Sequence, residues 1–308
     1  MTINNQEKLI GKHPESDGVF SSWLSSDDTP ATPKLRHRKL DFDSAKRQDA
    51  IEEIANWIVL HHVNDSKIRE LQAKRRILSK YGFKPYFEKQ SLLPTADKTQ
   101  KGNGAEIILA EYLMRSSGLS LLIYKLHYNP NIEQSMKGDD VLLFKKANIQ
   151  EKIIVGESKF QKTPNKSVVE KITTVMGGNT VLPLSLGFIV DRLRDKGEKY
   201  LAKEVADLQA NLHSGKTDIV NVGFVMSNHN THNHVANNGN TSNPNLTFLS
   251  LAIDKPDEFI QACFVKALEN LEKIDKCPLH KFPLEYSGEL LEAKIKDVLT
   301  TLKTIIPI

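Results

Sequence analysis

Two short apolar segments bordered by charged residues constrain the fold of this chain more than any other feature. The segment 141–144 follows two aspartates, and the segment 153–155 precedes Gly-Glu-Ser-Lys at 156–159. The polar connection 145–152 between them predicts a hairpin of two antiparallel strands. Charged side chains at the end of a buried strand are costly unless they are paired or bound to a metal. The hairpin end is therefore the first place to look for a functional site.

The symmetric register of this hairpin predicts three directly opposed pairs on one face: Phe144 with Ile153, Leu142 with Val155, and Asp140 with Glu157. Directly opposed Cβ atoms lie about 5 Å apart, so the two carboxylates can share a divalent cation. Glu157 and Lys159 are two residues apart on a strand and point to the same side of the sheet. A register shifted by one residue would exchange the faces and make Asp139 the ligand instead of Asp140.

A third carboxylate comes from a predicted helix upstream. Apolar residues run almost all round the segment 104–114, which indicates a packed helix. Glu106 is expected in the first turn of this helix, where a negative charge is compatible with the helix dipole. We therefore rank Glu106 first as a ligand and Glu111, deeper in the same helix, second.

Three carboxylates and a lysine are the residue types that metal-dependent cleavage of a phosphodiester needs. The reaction requires activated water and stabilisation of a charged transition state, and Mg²⁺ ions held by carboxylates supply both. We expect Glu106, Asp140 and Glu157 to hold Mg²⁺, with Mn²⁺ as a possible substitute and the Ser158 carbonyl as a further contact. Lys159 would either position the attacking water or neutralise charge on the phosphate.

The order of these residues resembles the PD-(D/E)xK nuclease superfamily, which has Glu on a helix, Asp at the start of a strand, and Glu-x-Lys on the next strand. More narrowly, the segments 102–106, 138–140 and 156–159 and the chain length resemble HamA proteins, the nuclease subunits of Hachiman antiphage defence systems. This resemblance covers about residues 35–275. The proline of the superfamily's name is absent before Asp140.

The resemblance implies an α/β fold with a restriction-endonuclease-like mixed sheet flanked by helices, and additional N-terminal and C-terminal helices. It also implies DNA as the substrate and a helicase subunit (HamB-like) as the partner in a heterocomplex. No Gly-x-x-x-x-Gly-Lys-Ser/Thr motif is present, so energy for opening DNA would come from that partner. Two alternatives remain: a non-catalytic DNA-binding or scaffolding subunit with a degenerate nuclease fold, and a resolvase or restriction-type enzyme acting alone.

Four regions are predicted along the chain: an irregular N-terminal arm (1–33), a helical, basic region (34–95), the nuclease core (96–275) and a C-terminal helical segment (276–308). Helices are predicted over 44–62, 66–81, 167–176, 198–212, 257–274 and 287–302. Further strands are predicted over 186–190, 220–226 and 246–253. Strands alternating with helices favour an α/β sandwich.

The chain has 308 residues and a net charge of +4, with basic residues concentrated at 34–39 and 67–89. Either cluster fits contact with phosphates or a solvated surface equally well.

His229, His232 and His234 lie in an Asn-rich segment that we interpret as a surface loop, with a metal site as the less favoured alternative.

Two cysteines cannot build a disulfide framework, and the amino terminus shows no charged-then-apolar leader. Both observations predict a cytoplasmic protein. No apolar run in the sequence is long enough to cross a bilayer, so no membrane association is expected.

Overall fold

Seven strands in the described part of the chain form one mixed sheet. The computed structural model describes residues 5–15, 19–29, 36–64, 66–70, 73, 91–134, 136–177, 181–229, 231, 234 and 245–275. The strands are β1 (Leu24–Asp27), β2 (His37–Phe42), β3 (Ser120–Leu121), β4 (Val141–Phe144), β5 (Lys152–Phe160), β6 (Asp218–Ser227) and β7 (Leu246–Ala252). Their spatial order is β1-β2-β7-β6-β5-β4-β3. The four central strands are parallel, and β1, β4 and β3 pair antiparallel with their neighbours.

Helices cover both faces of this sheet. They are α1 (Asn5–Ile10), α2 (Phe20–Trp23), α3 (Arg47–His62), α4 (Asp97–Ser117), α5 (Lys166–Met176), α6 (Leu182–Asp195), α7 (Lys199–Ala210) and α8 (Pro256–Asp275). Ile108 of α4 and Ile260 of α8 pack in one hydrophobic core, and Leu186 of α6 and Val205 of α7 pack in another. The predicted α/β architecture is thereby confirmed. No helix in the described residues is long and apolar enough to span a membrane.

The β4–β5 hairpin lies between these two cores. Phe144 pairs with Ile153 and Leu142 pairs with Val155, which confirms the predicted register. Val155 packs in one core and its neighbour Ile154 in the other, because successive residues of a strand point to opposite faces. Burial on both faces explains why the two segments are continuously apolar rather than alternating.

Glycine at position 156 lets α4 approach β5 closely. A Cβ atom there would lie 3.0 Å from the side chain of Leu109 and 3.0 Å from that of Val141. A larger residue would therefore force the side chain of Leu109 or Val141 to shift, since such contacts are tighter than ordinary van der Waals packing. The absence of a side chain at Gly156 thus sets the spacing between the helix that carries Glu106 and the strand that carries Glu157.

The segment 186–190 belongs to helix α6, so its prediction as a strand was wrong. Leu182, Leu186, Ile189 and Leu193 recur at helical spacing, and all four are buried. The run Leu-Gly-Phe-Ile-Val reads like a short buried strand when it is taken alone, and only the periodicity on both sides identifies a helix.

The other predicted elements agree with the structure to within a few residues wherever they fall on described residues. These are the helices 44–62, 167–176, 198–212 and 257–274 and the strands 220–226 and 246–253. The predicted helix 287–302 and most of 66–81 lie outside the described residues.

The first 42 residues contribute two strands where the sequence predicts none. Residues 1–33 are predicted to be irregular, yet their described part contains α1, α2 and β1, and β2 falls in a region predicted to be helical. β1 pairs with β2 at the sheet edge, and β2 pairs with β7. The sequences Leu-Ser-Ser-Asp and His-Arg-Lys-Leu-Asp-Phe are too polar to signal a strand by apolar alternation.

Candidate functional site

Three carboxylates and two lysines converge at the open end of the β4–β5 hairpin. Glu106 comes from α4, Asp140 directly precedes β4, and Glu157 lies on β5. Lys125 Nζ lies 3.4 Å from Glu106 Oε1 and 3.9 Å from Asp140 Oδ1. Lys159 pairs with Glu157 across the same strand face. The structure thus brings the four predicted catalytic residues together and adds Lys125; we call these five residues the carboxylate cluster.

Glu106 reaches the cluster from the middle of its helix. α4 begins at Asp97, so the prediction that Glu106 lies in the first turn was wrong. The helix dipole acts mainly within the terminal turn and does not explain the position of this carboxylate. Packing does, because Gly156 allows α4 to lie against β5 beside Glu157.

Asp140 is fixed by the neighbouring strand. The backbone N–H and the hydroxyl of Ser158 both donate to Asp140 Oδ2, each at 2.8 Å. The ladder between β4 and β5 ends at Val141 and Gly156, so the next pair in register is Asp140 and Glu157. Asp140 Oδ2 is therefore held by β5, and Oδ1 faces Lys125.

Asp139 points away from the cluster, toward helix α6. The Ser185 hydroxyl donates to Asp139 Oδ2 at 2.7 Å, and the Asp139 N–H donates to Ser185 Oγ at 2.8 Å. Burial raises the pKa of Asp139, and its bond to Ser185 opposes this rise. The observed register thus favours Asp140 over Asp139 as the residue beside Glu157.

The carboxyl groups of the cluster outnumber its ammonium groups. Burial raises the pKa of Glu106 to about 8, with repulsion from Asp140 adding to the effect and Lys125 opposing it. Burial and the charge of Asp140 also raise the pKa of Glu157, against the effect of Lys159. Three carboxyl groups face two ammonium groups, so full ionisation would leave a surplus of negative charge. The raised pKa of Glu106 relieves this surplus by protonation near neutral pH, and a further cation would favour ionisation of all three groups.

Lys125 was missed by the sequence analysis. It lies on a 3₁₀ turn, Lys125–Tyr128, between β3 and β4, and belongs to none of the motifs that identified the other residues. Although burial lowers it, the carboxylates of Glu106 and Asp140 raise the pKa of Lys125. The available signal was a lysine in the otherwise apolar stretch 121–126, because a lysine enters a buried segment only with a partner.

Glu111 lies on α4 but belongs to a separate ion-pair network. His61 Nε2 lies 2.7 Å from Glu111 Oε1, and Arg115 pairs with the other carboxylate oxygen. Against the effect of burial, His61 and Arg115 lower the pKa of Glu111. Glu111, ranked second as a ligand, is thus already matched by partners outside the carboxylate cluster.

The carboxylates of the cluster suit a Mg²⁺ ion that keeps part of its water shell better than an ion enclosed by protein ligands alone. Within the described ranges, no three Asp, Glu, His or Cys side chains are grouped so that they could hold an ion by themselves. Mg²⁺ usually takes only one or two carboxylates and keeps several waters. Asp140 and Glu157 are two such carboxylates. A cavity of about 40 Å³ beside Glu106 and Asp140 has space for an ion with a few waters.

Two members of the basic cluster at 34–39 are engaged in ion pairs in the part of the chain that the structure describes. Arg38 is buried and pairs with Asp28 at 2.7 Å, so it joins β2 to the N-terminal segment instead of contacting phosphate. Lys39 pairs with Asp41. Most of the second cluster, from residue 74 to residue 89, lies outside the described residues.

The histidine-rich segment begins at the same sheet edge as the carboxylate cluster, since β6 ends at Ser227 beside the end of β5. His229 Nδ1 lies 2.6 Å from Asn228 Oδ1, and His232 lies outside the described residues. The surface-loop interpretation and the metal-site alternative both stay predictions.

Two comparisons with known proteins match most of the chain. The family model HamA matches residues 17–267. The Hachiman protein HamA of Bacillus cereus is 44% identical over 272 residues, which cover 88% of this chain and 97% of that protein. The family match extends from before β1 to beyond β7, and it contains all five residues of the carboxylate cluster.

Proposed function

The chain belongs to the HamA family, and on this premise we propose that it is a metal-dependent DNA nuclease of a Hachiman antiphage defence complex. The observation that carries the proposal is the convergence of Glu106, Asp140 and Glu157 beside Lys159. Parallel central strands with an antiparallel hairpin that carries the acidic residues support assigning the sheet to the restriction-endonuclease-like fold.

Asp140 and Glu157 are the proposed ligands of Mg²⁺ or Mn²⁺, with Glu106 completing the acidic set. A cation held there would activate water and stabilise charge on the phosphate. The Ser158 carbonyl oxygen is a further proposed metal ligand, because the N–H and C=O of one residue in an extended strand point to the same side. Since the Ser158 N–H faces Asp140, its carbonyl faces the cluster as well.

Lys159 is the proposed contact to the scissile phosphate. Its side chain is 35% exposed, whereas that of Lys125 is 14% exposed, so Lys159 is the cation that DNA can reach from solvent. An ammonium is a compact charge on a flexible stem and suits an attacking water or a phosphate oxygen equally. Its partner Glu157 holds it at the mouth of the site in the absence of DNA.

A helicase (HamB-like) is the proposed partner, because the sequence has no P-loop and energy for opening or translocating DNA would have to come from another protein. We propose that this partner restrains the nuclease until foreign or aberrant DNA is engaged. Cleavage measured with the purified chain alone and with its helicase tests this part: equal rates in both would contradict it.

Plasmid cleavage in the presence of Mg²⁺ tests the proposed chemistry. We expect Glu157→Ala and Lys159→Ala to lose at least about a hundredfold in rate while they remain folded. Matched controls come from the exposed ion pair Lys145–Glu151 at the other end of the same hairpin, where alanine should leave cleavage unchanged.

Full cleavage by folded Glu157→Ala would remove the nuclease assignment. DNA binding without cleavage by the wild-type chain and its partner would favour the alternative of a scaffolding subunit.

A further inference from the structure

Lys125 is a confined cation at the centre of the carboxylate cluster, and the proposed reaction gives it no task. Its ammonium lies between oxygens from α4 and from the residues just before β4: Glu106 Oε1 at 3.4 Å, Asp140 Oδ1 at 3.9 Å and the Asp139 carbonyl, which accepts its hydrogen bond at 3.0 Å. Two of these three oxygens belong to proposed metal ligands. The ammonium therefore occupies the neighbourhood that a divalent cation would need.

Lys125 differs from the other lysines around the site. Lys159 pairs with Glu157 and is more exposed, so it can turn toward solvent. Lys137 lines the same cavity but is exposed and forms no ion pair with any described residue. Lys125 is held on a short 3₁₀ turn with its side chain 14% exposed, so its charge stays inside the cluster.

We infer that Lys125 regulates metal binding: its ammonium is the internal counter-ion of Glu106 and Asp140 and lowers their affinity for a divalent cation. This inference rests on the proposed function, because it concerns the same metal-dependent site. A divalent cation must displace the ammonium from shared oxygens and bind against a like charge, and such repulsion is strong where little water screens it.

The cavity beside the ammonium gives this exchange a route. It has a volume of about 40 Å³ and is lined by Lys125, Asp139 and Ser185 as well as by the two carboxylates. A shift of the ammonium toward the Asp139 carbonyl keeps its hydrogen bond while it releases Asp140. A nuclease built in this way takes up its metal only when Lys125 gives way, which limits cleavage before activation.

Calorimetric titration of Mn²⁺ into the metal-free full-length chain tests the inference. Lys125→Met keeps the length of the side chain and removes its charge, so we expect it to bind Mn²⁺ about tenfold more tightly than wild type. Lys137→Met is the matched control, since it removes an exposed cation from the same cavity lining, and its affinity should equal that of wild type. Circular dichroism verifies folding, and Lys125→Gln, whose amide can still donate to the Asp139 carbonyl, replaces the methionine variant if that variant fails to fold.

Equal or weaker Mn²⁺ binding by the folded Lys125 variant, when wild type binds, overturns this inference and leaves the nuclease proposal standing. An equal increase in Mn²⁺ affinity in Lys137→Met also overturns it, because loss of any positive charge near the cavity would then explain the effect. Binding by the Lys125 variant alone supports it. Absence of binding in both wild type and the Lys125 variant overturns the inference together with the metal-dependent function.

Discussion

Glu106 and Glu111 lie on the same helix but belong to two regions of opposite electrostatic balance. Around Glu106, burial and neighbouring carboxylates outweigh the attraction of Lys125, and the pKa rises to about 8. Around Glu111, His61 and Arg115 outweigh burial, and the pKa falls. Both residues are glutamates on the same helix, so their neighbouring side chains account for the opposite directions of the two pKa shifts.

The comparison separates a functional arrangement from a structural one. In the Glu111 network each carboxylate oxygen has a side-chain partner, His61 at one oxygen and Arg115 at the other, so the buried carboxylate is matched. In the carboxylate cluster three acidic groups share two ammonium groups, an arrangement that is costly for folding and favourable for binding a cation. Substitutions at the two glutamates should therefore affect different properties.

The largest expected effect is on catalysis, in Glu106→Gln. Removing this carboxylate should lower the rate of Mg²⁺-dependent plasmid cleavage by about a hundredfold or more, since a charge that supports the metal and its water is lost. Glu111→Gln, compared at equal concentration of folded protein, should cleave within about threefold of wild type. Near-normal cleavage by Glu106→Gln would contradict the assignment of a catalytic role to Glu106 and a structural role to Glu111.

The next largest effect is on stability, in Glu111→Gln. This change leaves His61 and Arg115 without their carboxylate, and breaking a buried ion pair on one side costs about 3 kcal/mol. Urea denaturation of the metal-free chain measures the loss. Glu106→Gln is the control and should be at least as stable as wild type; a loss in that variant equal to that of Glu111→Gln would contradict the comparison.

The pH dependence of stability should have opposite signs at the two positions. The pKa of Glu106 is raised to about 8 in the folded state, so its contribution to stability is complete below its ordinary pKa near 4.5 and is lost as pH rises through 8. The stability of Glu106→Gln should therefore rise relative to that of wild type across that range, by at most about 1.4 kcal/mol per pH unit. Glu111, with its lowered pKa, contributes stability that is lost as pH falls.

Denaturation of the metal-free wild type, Glu106→Gln and Glu111→Gln over a series of pH values tests these signs. A stability difference between Glu106→Gln and wild type that is constant with pH would show that the carboxylate of Glu106 is not perturbed by the cluster.

The smallest expected effect is at Ser185, beside the cluster but outside it. Ser185→Ala removes two hydrogen bonds with Asp139 and should cost about 1 kcal/mol of unfolding free energy. Cleavage should stay within about threefold of wild type, because Asp140 and Glu157 keep their contacts. A loss of cleavage comparable to that of Glu106→Gln would instead place Asp139 in the catalytic group.

The hairpin could be predicted from sequence because its signals are local. The apolar runs of β4 and β5 and the polar connection between them fix the register, and the register fixes Asp140 beside Glu157. Lys125 could not be found in this way, since its role depends on a 3₁₀ turn and on contacts with residues distant in sequence.

Errors arose where local patterns conflict with tertiary context. Residues 186–190 have the composition of a strand, but their neighbours extend a buried helical stripe, so α6 forms. β1 is a polar edge strand, and β2 lies between β1 and β7. The pairing of these two strands is decided by β7 and by the ion pair of buried Arg38 with Asp28 rather than by their own apolar pattern.

The most direct test of the central claim, that the acidic groups form one cation-binding cluster, is the shift in melting temperature when Mn²⁺ is added to metal-free protein. A ligand that binds only the folded state raises its stability. We predict that Mn²⁺ raises the melting temperature of the wild-type chain and leaves that of folded Asp140→Asn unchanged. An equal rise in both proteins would contradict the claim.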